Sequence, residues 1–244
     1  MTTTHTPTAL ITGASRGLGR ALARDLARDG WQLVIDARSP EALTEAAVEL
    51  DGFTTVRAVA GDVTDAWHRA ALVAEVEEFG GLDALVLSAS TLGLSPMPPV
   101  LEHPVEVLRR IFEVNVVAPI ALTSDLLPQL RPGARVVAVT SDAAVAAYPG
   151  WGGYGSSKAA LEQAFAVVAE EHPDLRVYRV DPGEMRTQMY QESAPEQDIS
   201  DLPPPEVSVP GFRRLLTGHL PSGRYEAREV SLLAPVPTPS GVAS

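Results

Sequence analysis

The chain has 244 residues, of which 45% are hydrophobic, and this length and composition suit one soluble α/β domain with an ample core. The lack of cysteine excludes a disulfide framework and a thiolate metal site, no metal is predicted, and the net charge of −12 disfavours nucleic acid and anionic membranes as partners. No apolar run approaches about 18 residues and no basic, apolar leader is visible, which predicts a cytoplasmic protein without membrane contact.

The first predicted unit is a strand, a glycine-rich turn and a helix. Residues 8–12 form an apolar strand, the turn reads T-G-A-S-R-G-L-G, and an alanine- and leucine-rich helix spans about 17–29. Glycines permit a tight turn and close backbone approach, while a helix start offers unpaired N–H groups to phosphate. We interpret the turn as a pyrophosphate site, the alternative being glycines that only let helix and strand pack. The predicted contacts are Gly13, Ser15, Arg16, Gly17, Leu18 and Gly19.

Strands and helices alternate through the rest of the chain. This alternation predicts a Rossmann-type, doubly wound α/β fold, with a mostly parallel seven-stranded sheet and helices on both faces, in one domain over residues 1–230. Residues 190–209, rich in Pro, Glu, Asp and Ser, indicate a mobile substrate lid or disorder, and residues 231–244 a disordered tail. Further strands are predicted at 32–36, 55–60, 84–88, 135–140, 176–180 and 223–226, with helices from 40 and over 65–79, 104–129, 153–171 and 212–217.

A tyrosine and a lysine four residues apart form the most informative pair. Tyr154 and Lys158 share one face of the predicted helix, and Ser141 ends a strand at the carboxyl edge of the sheet. A cation at about 4 Å and an effective dielectric of about 20 favours the phenolate by roughly 4 kcal/mol. A solvated helix face is the alternative, but Lys158 is the only lysine of the chain and Asn115 the only asparagine. Such scarcity indicates that arginine cannot replace the lysine, nor aspartate the asparagine, at these two positions.

Ser141, Tyr154 and Lys158, with Asn115 upstream and the T-G-x-x-x-G-x-G turn, resemble the catalytic tetrad and cofactor turn of the short-chain dehydrogenase/reductase family, over about residues 8–228. The resemblance implies an NADP(H)- or NAD(H)-dependent oxidoreductase that reduces a ketone or aldehyde, or catalyses the reverse. In this scheme Tyr154 is the acid/base, Ser141 hydrogen-bonds the carbonyl oxygen, and Lys158 lowers the pKa of the phenol. Asn115, at a distortion in its helix, holds a water that connects the lysine to solvent.

The same resemblance implies further cofactor contacts. Asp62 and Val63 border the adenine, and the P-G-x-x-x-T segment from 182 faces the nicotinamide and phosphates; an ordinary polar turn and a plain Pro-Gly turn are the alternatives. The chain departs from the family at L-S-A-S over 87–90, where relatives read N-N-A-G, and it has no terminal Asp-Gly-Gly. The remaining predicted contacts are Ser88, Ala89, Pro182, Gly183, Met185 and Thr187.

The end of the second strand bears on cofactor choice. Asp36 could contact a ribose 2′-hydroxyl, as in NAD-binding proteins. Aligned on the family, however, the ribose-facing position is Ala37, and one residue of register turns a strand side chain to the other face. Asp36 then points away or pairs with Arg38, while Arg38 and Arg16 hold a 2′-phosphate. The sequence thus predicts NADP(H), with NAD(H) as the alternative.

Substrate and assembly are less sharply indicated. An apolar, partly aromatic pocket is predicted from Tyr148, Trp151, Met185, Met189 and Tyr190. Asp142 disfavours anionic substrates if it faces this pocket, although strand alternation can turn it away. A small-molecule carbonyl or alcohol is the expected partner, and the protein is expected to be a homodimer more than a tetramer. The alternatives are a dehydratase, epimerase or cyclase on the same fold, and a nucleotide-sensing binding protein.

Overall fold

The structure is a computed structural model that describes residues 5–233. Within this range seven strands form one sheet in which every neighbouring pair is parallel, which confirms the predicted fold class. In chain order the strands are β1 (Thr8–Thr12), β2 (Gln32–Ala37), β3 (Val56–Ala60), β4 (Leu82–Leu87), β5 (Leu130–Val139), β6 (Arg176–Asp181) and β7 (Gly223–Glu226). Their order across the sheet is β3-β2-β1-β4-β5-β6-β7.

Helices cover both faces of this sheet. Two of them begin as their sequences predict, since Ser39 accepts a hydrogen bond from the backbone N–H of Ala42 and Asp65 accepts one from Trp67. The helices are α1 (Gly17–Arg28), α2 (Pro40–Asp51), α3 (Ala66–Glu78), α4 (Val105–Phe112), α5 (Ala118–Leu126), α6 (Gly152–Glu171), α7 (Gln188–Ser193), α8 (Val209–Thr217) and α9 (Ala227–Leu232).

Successive strand residues serve two separate cores. Leu10 lies in the cluster formed with α3, α5 and α6, whereas Ile11 lies in the cluster formed with α1, α2, α8 and α9. Both side chains are fully buried, and burial of a side chain of this size contributes about 1.5–3 kcal/mol. The near-continuous apolar strands of the sequence follow from this two-sided coverage.

One helical run, residues 105–129, is interrupted as the family resemblance implied. A π-helical segment (Glu113–Val117) separates α4 from α5, and such segments are frequent at functional sites. By length and composition alone this run could cross a membrane, although Glu113 and Asp125 interrupt its apolar residues. Half of its most apolar window is buried in the fold.

The predicted lid and tail differ in detail from the structure. Residues 190–209 contain most of α7, which begins at Gln188, and a 3-10 turn (Pro205–Val207), and the backbone N–H of Arg186 donates to the carbonyl of Pro203 at 2.8 Å. The mobility of this lid stays a prediction. Helix α9 extends to Leu232, so the predicted start of the tail at 231 is wrong, because a six-residue helix is too short to show a hydrophobic period. Residues 234–244 of the predicted tail lie outside the described residues.

Candidate active site

The glycine-rich turn between β1 and α1 has the shape that a phosphate group requires. Gly13 and Gly17 have φ of +68° and +55°, and a Cβ on Gly19 would lie 2.4 Å from the carbonyl oxygen of Gly13. Arg16, at the N-cap of α1, supplies no side-chain cap, so the first N–H groups of the helix stay available to an anion. These residues fit a dinucleotide pyrophosphate.

Asp36 is buried beneath this turn and supports it. It is 1% exposed, its Oδ1 accepts a hydrogen bond from the backbone N–H of Gly13, and its Oδ2 lies 2.9 Å from Nε2 of His68. Burial raises the pKa of this carboxyl, although the hydrogen bonds of His68 and Gly13 act against the rise. Of the two alternatives left open by the sequence, the pairing with Arg38 is wrong, since within residues 5–233 the partners of this carboxylate are Gly13 and His68.

Two arginines stand near the end of the cavity where the 2′-phosphate is predicted. Arg38 is exposed and makes no hydrogen bond or ion pair with any residue from 5 to 233, whereas Arg16 donates to the side-chain oxygen of Gln188. Asp62, predicted to border the adenine, accepts from Thr64 and from Arg110. Arg38 is thus the better placed of the two arginines to meet an added anion.

The segment after β4 shows what replaces the asparagines of the N-N-A-G pattern. The hydroxyl oxygen of Thr12, at the end of β1, accepts hydrogen bonds from the backbone N–H groups of Ser88 and Ala89, both at 3.0 Å. A β1 side chain therefore ties the two central strands together where they end. Ser88 and Ala89 contribute backbone to this link.

Asn115 holds the next part of the same segment. Its Oδ1 accepts from the hydroxyl of Ser90 at 3.0 Å and from the N–H of Thr91 at 2.9 Å, while its Nδ2 donates to the carbonyl of Thr91 and to the hydroxyl of Ser157. The amide then has no hydrogen-bond capacity left. Protein groups thus occupy the whole side-chain amide, and the implied water contact of Asn115 stays a prediction.

Tyr154 and Lys158 are both buried on α6. The ammonium of Lys158 donates to the carbonyl of Val139 at 2.9 Å and lies 5.4 Å from the centre of the Tyr154 ring. Burial lowers the pKa of Lys158 from 10.5 to about 8. Burial also raises the pKa of Tyr154, and the negative charges of Asp181 and Asp142 add to the rise. The net shift of the phenol pKa is upward because desolvation prevails, and the effect of Lys158 on this pKa stays a prediction.

Ser141 and Asp142 lie together at the end of β5. The hydroxyl of Ser141 donates to Oδ1 of Asp142 at 2.9 Å, and the hydroxyl of Tyr148 donates to Oδ2 at 2.9 Å. Asp142 is exposed and lines the cavity, so of the two orientations left open by the sequence it takes the one that faces the pocket.

Aromatic and thioether side chains form the wall beside Tyr154. The ring of Trp151 stands edge-on between Tyr148 and Tyr154, with ring centres 6.5 and 5.8 Å apart, and Met189 packs on the same cluster. The hydroxyl of Tyr190 donates to Glu184 at 2.8 Å. These side chains thus form an apolar, partly aromatic wall, and the carboxylates of Asp142 and Glu184 lie beside it.

All these groups meet in one cavity of about 1180 Å³ at the carboxyl edge of the sheet. Every catalytic, cofactor and substrate residue predicted from the sequence lines this cavity except Asn115. Asn115 lies outside the cavity and holds Ser90 and Thr91, which line it. Ser90, Glu184 and Glu192 also line it and were not predicted. Ser90 could have been found from its position just beyond a predicted strand at the ligand-binding edge. Among residues 5–233 no group of three or more His, Cys, Asp or Glu is arranged to hold a metal ion.

Comparisons with known proteins identify relatives of this chain. A family model described as short chain dehydrogenase matches residues 7–198. A benzil reductase ((S)-benzoin forming) of Saccharomyces cerevisiae is 32% identical over 82% of this chain and 78% of its own length, and a hydroxynaphthalene reductase-like protein of Metarhizium anisopliae is 35% identical over 76% and 71%. A solved protein from Shigella flexneri, described as a short chain dehydrogenase complexed with NADP, is 27% identical with a TM-score of 0.85 and coverage of 91% and 97%.

The buried ammonium gives a testable pH dependence of stability. The folded pKa of Lys158, about 8, lies below the ordinary value of 10.5, so between these values the unfolded chain binds a proton that the folded protein does not, and stability rises with pH. We expect the free energy of unfolding of the Tyr154→Phe protein to rise by on the order of 3 kcal/mol over this range, relative to Tyr154→Phe/Lys158→Met.

Urea titrations followed by circular dichroism measure both proteins, and phenylalanine at position 154 removes the neighbouring titrating group from each. A difference between the two proteins that stays constant from about pH 8 to 10.5 would contradict the burial of a charged lysine.

Proposed function

We propose that this chain, which belongs to the short-chain dehydrogenase family of oxidoreductases, uses NADP(H) to reduce a ketone or aldehyde to an alcohol, or catalyses the reverse. The observation that carries this proposal is the meeting of Tyr154, Ser141 and Lys158 with the glycine-rich turn in one cavity. The two curated relatives named above are reductases by their descriptions, and the Shigella relative binds NADP.

The residues present suit a dinucleotide along the cavity. The backbone from Gly13 to Gly19 and the start of α1 would hold the pyrophosphate, and Arg38 would meet a 2′-phosphate. When bound, the cofactor supplies a hydride to the carbonyl carbon. The side of the cavity formed by Pro182, Gly183 and Thr187 would face the nicotinamide.

The protein's own part in the reaction is proton transfer and orientation. Tyr154 donates its proton to the carbonyl oxygen, and Ser141 hydrogen-bonds the same oxygen once its hydroxyl turns away from Asp142. Lys158 fixes positive charge behind the phenol, which stabilises the phenolate left after transfer.

The walls of the cavity favour an uncharged substrate with an aromatic or apolar body. Trp151, Tyr148 and Met189 offer apolar contact, whereas Asp142 and Glu184 place negative charge on the wall of the cavity. An anionic substrate would be repelled there, since like charges in a partly desolvated site interact strongly.

Assembly belongs to the same proposal. Val117, Ile120 and Val167 are exposed apolar side chains on the helical face formed by the π segment, α5 and α6, and we expect two copies of the chain to pair through it as a cytoplasmic homodimer. Light scattering that returns a monomer, or a tetramer unaffected by removal of residues 235–244, would count against this arrangement.

Tyr154→Phe should cut turnover by at least about 100-fold with the fold and cofactor affinity retained, because a positioned acid/base group is lost. Lys158→Arg should also be severe, since a guanidinium does not replace a compact ammonium. Oxidation of NADPH is followed at 340 nm with a panel of ketones, in which each uncharged ketone is paired with a carboxylated analogue.

Tyr225→Phe is the matched control, because the hydroxyl of Tyr225 donates to Pro221 outside the cavity. Turnover of Tyr154→Phe within a factor of a few of the parent would refute the catalytic assignment, and a preference for the carboxylated analogues would refute the assignment of substrate charge. Product formed without consumption of NADPH would favour a dehydratase or epimerase.

The chain should bind NADPH roughly 100-fold more tightly than NADH, because charge-assisted hydrogen bonds to a phosphate contribute about 1.5–3 kcal/mol each. Quenching of tryptophan fluorescence in titrations of both reduced cofactors measures this, since Trp151 lines the cavity. Arg38→Ala should lower the affinity for NADPH about tenfold or more and leave that for NADH unchanged.

Arg57→Ala is the control, since Arg57 pairs with Glu75 away from the cavity. NADH that binds as tightly as NADPH would show that the assignment of the ribose-facing position to Ala37 is wrong.

A further inference from the structure

A buried polar network lies behind Ser141. Glu162, which stands one turn beyond Lys158 on α6, is 8% exposed, and its Oε1 accepts a hydrogen bond from the hydroxyl of Thr140 at 2.7 Å. The same carboxylate accepts from Nε of Arg224 at 3.0 and 3.3 Å. A carboxylate that is removed from water needs such donors. The network therefore ties α6 to the residue that directly precedes Ser141.

Arg224, on β7, reaches the end of β5 through this network. Its Nη2 donates to the backbone carbonyl of Ser141 at 3.4 Å and lies 3.5 Å from Oδ2 of Asp181. The other oxygen of Asp181 accepts from the backbone N–H of Gly183 at 2.9 Å, so this carboxylate is itself held in place. One guanidinium thus contacts the end of β5, the end of β6 and the helix α6.

The shape of the guanidinium explains how it joins these groups. Its N–H donors project from a rigid plane, and the contacts of Nε with Glu162 and of Nη2 with Asp181 fix the orientation of that plane. The place of Nη2 beside the Ser141 carbonyl follows from these two contacts. Arg224 does not line the cavity that Ser141 lines, so its effect on a reaction there has to pass through other residues.

We propose that Arg224 is a positioning residue that holds Ser141 in place for the substrate carbonyl. It acts directly on the backbone carbonyl of Ser141, and through Glu162 on Thr140, the residue before it. The inference rests on the proposed function, because the hydroxyl that is held is the one proposed to hydrogen-bond the carbonyl oxygen. A displacement of about 1 Å in a reacting arrangement costs on the order of 100-fold in rate.

Charge balance is a second contribution of Arg224, which the tests have to separate from positioning. Glu162 and Asp181 are 8% and 6% exposed, so the loss of Arg224 leaves two buried carboxylates without this cation. Removal of one partner from a buried ion pair is strongly destabilising. Glu162→Gln, added to the loss of Arg224, restores the net charge of the parent network and keeps an oxygen that accepts from Thr140.

The first test measures ketone reduction in Arg224→Met and in Arg224→Met/Glu162→Gln. Both proteins should show a kcat about tenfold or more below that of the parent, with the dissociation constant of NADPH within about threefold, because Ser141 is no longer held while the glycine-rich turn is untouched. An unchanged kcat in Arg224→Met would overturn the proposal. So would a kcat of the double variant within about threefold of the parent, since charge and not positioning would then explain the loss.

Arg179→Met is the matched control. Arg179 lies opposite Arg224 in the register of β6 and β7, and it does not line the cavity. This variant should keep kcat within about twofold of the parent. A tenfold loss in the control would overturn the proposal, because the loss of any arginine from this part of the sheet would then have the same effect.

The second test asks whether Arg224 acts through Ser141. Ser141→Ala removes the hydroxyl that Arg224 is proposed to hold, so the addition of Arg224→Met should lower kcat by less than about threefold further, because effects are not additive when one residue acts through another. A further loss of tenfold or more would overturn the proposal, since Arg224 would then act on the reaction by another route.

The third test needs neither cofactor nor substrate, so it separates this inference from the proposed function. The backbone N–H of Ala143 donates to the Ser141 hydroxyl oxygen at 3.2 Å and to Oδ1 of Asp142 at 2.8 Å, so its hydrogen exchange, measured by NMR, reports how firmly this turn is held. In Arg224→Met/Glu162→Gln the exchange should be about tenfold faster or more, with that of Leu85 in β4 unchanged.

Unchanged exchange of the Ala143 N–H would overturn the holding of Ser141 even in an active reductase. Faster exchange in a protein that reduces no ketone would uphold the holding of Ser141 while the proposed function failed.

Discussion

The amide of Asn115 is the interaction on which the arrangement around Tyr154 depends. It bonds the backbone of Thr91 twice, the hydroxyl of Ser90 and the hydroxyl of Ser157, which itself donates to the backbone carbonyl of Tyr154. The chain beyond β4 has left the sheet, so its buried polar groups need partners from elsewhere. A single side chain thus joins the edge of the sheet to the helical turn that carries the phenol, and the π segment presents it there.

Burial explains why the pair on α6 departs from a simple Coulomb argument. Attraction between an ammonium and a phenolate predicts that both groups become charged more easily, but removal from water acts in the opposite sense on each. Desolvation prevails for both groups, and the pKa of each shifts toward its neutral form. A neutral, protonated phenol is the form that an acid catalyst needs.

The sequence predicts most of this molecule where local patterns suffice. The strand Gly223–Glu226 has the predicted bounds, and the helix opened by Ser39 begins as its capping residue indicates. What could not be predicted are pairings between distant segments. The pairing of Asp36 with His68, for example, depends on how α3 is rotated against the sheet. The hydrogen bond between Ser90 and Asn115 likewise depends on the π-helical segment, which cannot be predicted from hydrophobic periodicity.

The rarity of lysine and asparagine in this chain has a physical explanation in the structure. Lys158 is 2% exposed and has one hydrogen-bond acceptor, the carbonyl of Val139, whereas a guanidinium brings five N–H donors that would need partners in the same enclosed space. Asn115 donates twice and accepts twice, and an aspartate there could only accept, which would leave the carbonyl of Thr91 and the hydroxyl of Ser157 facing a negative charge. The chain uses arginine and aspartate at most other charged positions. At positions 158 and 115 the number of hydrogen-bond donors, and not the charge alone, explains why lysine and asparagine are present.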